Sequence, residues 1–411
     1  MMIIEKSYQY MIEKYPVSGG EFSYTYKAFG KETSFIVGWY LLLAYLCIIP
    51  LNATAVVLVI EKVFGPILKT YFLYKIADYP IYLPEVIVSS LFIIFFSYFN
   101  IKGLKYSSVL QKIMVLFLVS IICVMGISSL FFMDLDRNVL YSQINNLEQI
   151  NISNIMKVIA ISPWAYIGFD TIAQVANNIN FSRKKIQILS NISIIIGFII
   201  YVLLILITAL EYDSKILESS ISISWATGNV VENIFGKKGV LLLGFSLLMA
   251  VTAGINGFFI ATTKLMFSIS KAKMLPKIFT NIDSNKIPKN IIIFLTVVSI
   301  ITPWFGRKIL LWITDVSSIG AAIGYMFTCF SAAKIAYLEK MKLSVFWGII
   351  GGILGIIFSI LLLVPQLGSS LTKPSYIAFV AWTLLGFIFY LKMKNNGLSK
   401  KELDTIILND K

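Results

Sequence analysis

One segment constrains this chain more than any other: an apolar run, residues 155–178, that contains a proline, a glycine and a carboxylate. At about 1.5 Å per residue, a helix of this length would cross the roughly 30 Å hydrocarbon core of a bilayer. However, Pro163 lacks a backbone donor, Gly168 lets the chain leave helical geometry, and a charged Asp170 is costly in lipid. Irregular backbone is tolerated at membrane depth only where it faces protein or water. The segment therefore indicates either a discontinuous helix that lines a solute site or a proline-kinked structural helix.

Long apolar blocks occupy most of the remaining sequence. The 411-residue chain is 58% hydrophobic with a mean hydropathy of +0.83, which exceeds the apolar share of soluble domains. We therefore predict an all-α, polytopic membrane protein whose surroundings are the lipid bilayer. The ten predicted spans cover approximately residues 35–60, 84–99, 107–132, 155–177, 187–210, 239–268, 289–305, 309–332, 345–365 and 374–392.

Charge and residue usage argue against several functions. The net charge of +14 comes from basic residues in short loops between apolar blocks rather than from a basic, aromatic-rich patch, so we predict no nucleic-acid partner. The chain has no histidine, which removes His-based triads and His metal sites. Its three cysteines lie in apolar runs without ligand spacing. We predict no metal and no cofactor, and a membrane-embedded enzyme is the disfavoured alternative.

The distribution of basic residues predicts the orientation of the chain. Loops on the side that holds residues 183–186 contain twice as many lysines and arginines as loops on the other side. Because cytoplasmic loops carry the excess of these residues, that side is predicted to be cytoplasmic. The C-terminal tail, residues 393–411, then also faces the cytoplasm, and the predicted location is the cell membrane.

Two connecting segments carry predictions of their own. Residues 18–30 are amphipathic, and their aromatic residues, Phe22, Tyr24, Tyr26 and Phe29, are predicted to lie at the membrane interface. The loop at residues 211–238 is predicted to contain a short helix from Asn229 to Phe235, which either caps the vestibule or is an ordinary solvated loop.

Four motifs resemble the amino acid-polyamine-organocation (APC) permeases, and they occur in that family's order. Trp164-Ala-Tyr-Ile-Gly-Phe-Asp170 is similar to the unwound centre of the family's sixth transmembrane helix. The segment Tyr15–Gly30 resembles the loop after helix two, Asn100–Lys105 the entry to helix five, and Lys264–Pro276 the end of helix eight. The resemblance covers nearly the whole chain. It implies the leucine-transporter-like fold, with two inverted five-helix repeats around a midplane site, and secondary transport by alternating access.

The resemblance also implies a single transporter domain in which one repeat is incomplete. Residues 1–132 correspond to the first repeat, 155–332 to the second, and 345–392 to two additional helices. In the family, the Tyr-Pro-x-x-Gly-Gly signature closes helix two, so helix one and half of helix two are expected to be missing. Because helix one supplies backbone amides to the solute carboxylate in relatives, the 411-residue chain is expected not to transport, whereas a version extended upstream would. A truncated, non-transporting permease fragment is accordingly an alternative to an active permease.

Amino acids are the solute class that the resemblance implies first, and polyamines or other organocations are the alternative. The ends of a broken helix offer backbone donors and acceptors to a zwitterion. The rings of Trp164 and Tyr166 would cover a cationic or apolar group, although Trp164 has simple packing as an alternative. The residues predicted to bind the solute are Ser162, Trp164, Ala165, Tyr166, Ile167 and Gly168.

Three further residues are candidates for an ion site. Asp170 is either a proton or cation partner inside the bundle or a cap for the helix that follows the break. Thr262 and Thr263 either offer hydroxyls to sodium or bond back to helix carbonyls. The coupling ion, H+ or Na+, is therefore left open. The family's lysine switch in helix five is unsupported, because the matching position here is Leu118.

Overall fold

The protein is described by a computed structural model that covers residues 1–132, 152–178, 182–211, 225–364, 371–394 and 400–408. The helices are α1 (Met2–Lys14), α2 (Gly20–Phe29), α3 (Lys31–Phe64), α4 (Leu83–Lys102), α5 (Leu104–Phe132), α6 (Ile152–Ala165), α7 (Thr171–Gln174), α8 (Arg183–Glu211), α9 (Ala226–Lys271), α10 (Lys289–Ile301), α11 (Gly306–Leu338), α12 (Lys342–Leu363), α13 (Lys373–Lys394) and α14 (Lys400–Leu408). The strands are β1 (Phe72–Ile76) and β2 (Tyr79–Tyr82).

Helices overlap all ten predicted spans, so the prediction of an all-α polytopic membrane protein is confirmed. Within the described residues, eight helical segments are long and apolar enough to cross a membrane. One of these segments, Lys289–Leu338, contains two of the predicted spans. A 3-10 turn at Thr302–Phe305 and the left-handed backbone of Gly306 (φ 78°) separate it into α10 and α11.

The helix α3 is the centre of the bundle. It packs against α9 and α11, and 67% of its most apolar 18-residue stretch is buried inside the protein. The corresponding share is only 11% for α8 and for α13. Since all three helices are strongly apolar, the difference indicates that α3 is surrounded by protein, whereas α8 and α13 present most of their side chains to lipid.

Glycines permit the closest approaches between the helices around α3. A Cβ atom added to Gly320 on α11 would lie 2.4 Å from the carbonyl oxygen of Tyr40 on α3. On α12, a Cβ atom at Gly348 would lie 2.7 Å from the backbone nitrogen of Ala333 on α11. Small residues at such crossings allow backbones to touch, which is the main source of packing energy between helices in a membrane.

The aromatic residues of α2 do not lie at the membrane interface, so that prediction was wrong for three of the four. Phe22, Tyr24 and Tyr26 are buried, because α2 packs against α3 and α11 and its rings contact protein on both sides. Of the four, only Phe29 is exposed. The predicted helix from Asn229 to Phe235 is present as the start of α9.

A β-hairpin between α3 and α4 was not predicted from the sequence. Strands β1 and β2 pair antiparallel, and the two turn residues, Ala77 and Asp78, both have positive φ angles, 51° and 62°. Such turns are normally marked by Asn-Gly or Asp-Gly. Because alanine is unusual at this position, the sequence carried no recognisable turn signal.

Candidate functional site

The predicted span at residues 155–177 is discontinuous, but its break begins later than the sequence predicted. Helix α6 continues through Pro163 to Ala165, and α7 begins at Thr171. The irregular residues are therefore 166–170. Of the residues predicted to line the break, Ser162, Trp164 and Ala165 instead belong to the last turn of α6.

A serine explains why the helix continues through the proline. Pro163 has no N–H to donate to the carbonyl oxygen of Ile159, four residues earlier. The Ser162 hydroxyl donates to that oxygen instead, at 2.7 Å. Five residues after Pro163, Gly168 adopts a φ angle of 124°, which disfavours other residues. The break is therefore set by the glycine rather than by the proline.

The carboxylate of Asp170 closes this bend. Its Oδ1 atom accepts the backbone N–H of Gly168 at 2.7 Å, and the Thr171 hydroxyl donates to the Gly168 carbonyl at 2.6 Å. Asp170 stands immediately before α7, yet its side chain makes no capping bond to that helix. Its second oxygen, Oδ2, accepts the hydroxyl of Tyr45 on α3 at 2.5 Å. Asp170 thus ties the broken helix to the central helix of the bundle.

A second buried carboxylate, Glu21 on α2, belongs to the same network. Its Oε1 atom accepts the Tyr8 hydroxyl at 2.8 Å, and its Oε2 atom accepts the amide of Gln174 on α7 at 2.5 Å. The Tyr45 oxygen lies 3.4 Å from Glu21 Oε1, but its single hydrogen is committed to the closer Asp170. Glu21 and Asp170 are both fully buried. Among the described residues, neither carboxylate forms an ion pair, so two full negative charges here would be costly.

Trp164 and Asp315 line one cavity beside the break. The cavity has a volume of about 210 Å³ and lies between α6 and α11, and Thr314 and Ser318 contribute hydroxyls to its wall. The Trp164 side chain is 41% exposed. One oxygen of Asp315 accepts the Ser375 hydroxyl of α13 at 3.0 Å. Asp315 lies within α11 rather than at its start, because that helix begins nine residues earlier, at Gly306.

The other predicted solute-binding residues have protein partners. The ring of Tyr166 packs edge-on against Tyr201 of α8, with centroids 5.7 Å apart, and the Tyr201 hydroxyl donates to the carbonyl of Ala165 at 2.6 Å. Ile167 packs against the hydrophobic core. These contacts join the break to α8.

The two threonines of α9 have different environments. The Thr262 hydroxyl donates to the carbonyl of Phe258, four residues earlier, at 2.6 Å, which is the back-bonding alternative considered for it. The Thr263 hydroxyl is buried and has no hydrogen-bond partner within the described part of the chain. Neither residue lines the cavity that contains Trp164.

An ion pair joins α1 to the end of α11. Lys14 Nζ lies 2.6 Å from Glu339 Oε1, and the Tyr10 hydroxyl donates to Glu339 Oε2 at 3.1 Å. The hydrogen bond from Lys14 holds the pKa of Glu339 below its usual range. Because both groups are exposed to solvent, the pair contributes little to stability.

A multi-pass helical bundle with a broken span beside a small cavity that contains a carboxylate has the architecture of a membrane transporter. Residues 11–389 match the sequence model of the family described as amino acid permease, and the chain therefore belongs to the amino acid permease family. It is 23% identical, over 406 residues, to an arginine/agmatine antiporter of Chlamydia pneumoniae; the match covers 93% of this chain and 80% of the relative. The protein is a secondary transporter for amino acids or related organocations.

Proposed function

We propose that this permease carries a cationic amino acid or amine across the cell membrane, and that the solute binds beside the break between α6 and α7. The observation that carries the proposal is the shared cavity of Trp164 and Asp315. An indole face attracts organic cations, and a carboxylate at the same site supplies the opposite charge. The backbone of the break, at residues 166–170, would hold the polar groups that such solutes have in common.

The similarity to an arginine/agmatine antiporter supports the same solute class. Both solutes in that name carry a guanidinium group, which is planar and stacks well on aromatic faces. The cavity accommodates this chemistry through Trp164, with Asp315, Thr314 and Ser318 as hydrogen-bond acceptors. The second candidate class, neutral amino acids, does not use the carboxylate of Asp315.

Replacing Trp164 with alanine is expected to weaken solute binding by about tenfold or more, because the lost ring face is worth roughly 1–2 kcal/mol in a partly desolvated site. Binding of radiolabelled arginine, agmatine and leucine would be measured on protein expressed from the full reading frame of the gene. Arginine or agmatine is expected to bind more tightly than leucine. The yield of folded protein should change little.

Trp304 provides a matched control, since its exposed fraction, 40%, is almost the same as that of Trp164 and it lies outside the cavity. The Trp304→Ala variant is expected to bind solute normally. Equal losses of binding and folded yield in Trp164→Ala would show that Trp164 is a packing residue. Preference for leucine would contradict the cationic solute class.

We further propose that the coupling ion is a proton held by Glu21 and Asp170. Sodium requires several oxygen ligands with free lone pairs directed at it, whereas these carboxylates are surrounded by donors: two hydroxyls, one side-chain amide and one backbone amide. A proton relieves the repulsion between two buried carboxylates without a coordination shell. Buried acidic residues within membrane bundles commonly serve as proton sites.

The excess of basic loop residues supports a cytoplasmic C-terminal tail. A cysteine placed at Lys401, in a background that lacks Cys47, Cys123 and Cys329, is expected to resist an impermeant thiol reagent added outside intact cells. It should react after the cells are permeabilised. A cysteine at Ile67, in the exposed segment between α3 and β1, is the control and is expected to react from outside. The reverse pattern would invert the proposed orientation.

A further inference from the structure

A large cavity lies far along the chain from the break, where α9 and α13 end. Its volume is about 950 Å³, and it is bounded by the C-terminal ends of both helices, by the 3-10 turn Lys277–Thr280 and by α14. We call it the basic cavity, because four lysines line it and, among the described residues, no carboxylate does. The four lysines are Lys271, Lys273, Lys277 and Lys392.

The basic cavity lies at a membrane boundary. Lys271 is the last residue of α9, and Lys392 is in the last turn of α13. Both helices belong to the segments that are apolar and long enough to span the bilayer, so the cavity is at the level of lipid headgroups. Helix α14 closes one side of the cavity with Thr405 and Ile406. The Tyr26 hydroxyl holds this helix in place by donating to Asp404 at 2.9 Å.

The walls of the basic cavity combine positive charge with apolar surface. The Lys392 ammonium lies 5.9 Å from the ring centroid of Phe389, which belongs to the wall. This charge therefore lies beside an aromatic side chain of the cavity. Further apolar wall is supplied by Met274. Lysines at helix ends are common, so the distinguishing feature is that four of them line one large, partly apolar space.

We propose that the basic cavity binds the phosphate group of an anionic phospholipid, with the lysines around the phosphate and the apolar walls against the glycerol and the first acyl carbons. A free phosphate ion would compensate the charge of the lysines but would leave the apolar walls in contact with water. Cytoplasmic leaflets are rich in anionic lipids, and each nearby lysine contributes to their attraction. The assignment to that leaflet rests on the orientation proposed above, whereas the binding itself does not depend on the solute or on its direction of transport.

Thermal denaturation of the purified protein in neutral detergent tests the proposal. Three probes would be titrated at matched ionic strength: dioleoylphosphatidylglycerol, dioleoylphosphatidylcholine and sodium phosphate. The anionic lipid is expected to raise the midpoint of unfolding, and the other two are not. Replacing all four cavity lysines with glutamine is expected to weaken the apparent affinity for the anionic lipid by about tenfold or more, because each substitution removes one positive charge that attracts the lipid.

A second fourfold variant controls for non-specific attraction. Lys105, Lys112, Lys340 and Lys342 lie on the same predicted side but outside the basic cavity. The first two are in the N-terminal part of α5, Lys340 lies between α11 and α12, and Lys342 begins α12. Lys340 also matches Lys273 in backbone conformation, with φ angles of 59° and 57°. The glutamine variant of these four residues should bind the lipid as tightly as the unaltered protein. If both variants lose the same affinity for the anionic lipid, the attraction is non-specific and the proposal is wrong.

Two further outcomes are decisive. If sodium phosphate alone produces the full stabilisation, the cavity is a site for a free phosphate and the lipid assignment is wrong. If the glutamine variant of the cavity lysines does not fold, the fourfold Lys→Arg variant is used instead and is expected to retain binding. Native mass spectrometry of the unaltered protein, purified with equal amounts of both lipids, should then show retained phosphatidylglycerol. Retention of both lipids in equal proportion would contradict the proposal.

Discussion

An Asp170→Asn variant is expected to fold but to lose proton-driven uptake by about tenfold or more, which corresponds to at least 1.4 kcal/mol of coupling. Asparagine keeps an oxygen that can accept the Gly168 N–H, and its amide can donate to the Tyr45 hydroxyl. The bend is thereby preserved, but the proton site is not. Uptake of labelled solute into proteoliposomes would be measured with and without an imposed pH gradient, and exchange at equal pH should persist.

The carboxylate of Asp283, which lies outside the membrane-spanning helices, gives the matched substitution. It lies between α9 and α10, where it accepts the backbone N–H of Ile287 at 2.8 Å. Asp283→Asn is expected to leave proton-driven uptake intact. Glu21→Gln, which removes the other buried carboxylate, should behave like Asp170→Asn. Undiminished response to the pH gradient in both variants would show that these carboxylates are structural.

Gly320→Ala is expected to destabilise the fold by about 2 kcal/mol or more, because the added methyl group overlaps backbone rather than a flexible side chain. The clash is with the carbonyl group of Tyr40, whose oxygen and carbon would lie 2.4 Å and 3.0 Å from the new Cβ atom. Neither α3 nor α11 can shift without disturbing the remaining helix contacts. The midpoint of thermal unfolding in detergent provides the measurement.

Gly197→Ala is the control for this substitution. Gly197 is also within a membrane helix, α8, but a Cβ atom there would meet only an atom of Tyr166 at an ordinary contact distance of 3.9 Å. Since alanine favours helix more than glycine does, Gly197→Ala should be neutral or slightly stabilising. Similar losses in both variants would mean that the close crossing of α3 and α11 is not a principal packing contact.

The features that could be predicted from the sequence are those that depend on local chemistry. Apolar length fixes the membrane spans, and Pro163, Gly168 and Asp170 together indicate a broken helix. The exact start of the break depends on whether a neighbouring hydroxyl can satisfy the carbonyl freed by the proline, and here Ser162 does so. A serine before a proline is therefore a usable signal, although its donation to Ile159 could not be known in advance.

The partners of the break could not be predicted, because they come from distant parts of the chain. Glu21 follows two glycines in a segment that resembled an interfacial connector, and nothing nearby in sequence indicates that Tyr45 and Gln174 surround it. Likewise, nothing near Asp315 in the sequence indicates that it shares a cavity with Trp164. Polar residues in short amphipathic segments between membrane spans can thus be buried when the segment packs against the bundle.

The hydroxyl of Tyr45 has one hydrogen and two carboxylates within reach, and this shortage makes the network responsive to movement. In the present arrangement the hydrogen goes to Asp170, at 2.5 Å, and the contact with Glu21 is 3.4 Å. A displacement of about one ångström between α3 and the break would reverse the order of the two distances and transfer the hydrogen bond. The position of α3 relative to the break would then determine which carboxylate, Asp170 or Glu21, accepts the hydrogen bond. The carboxylate that loses the hydroxyl would gain affinity for a proton.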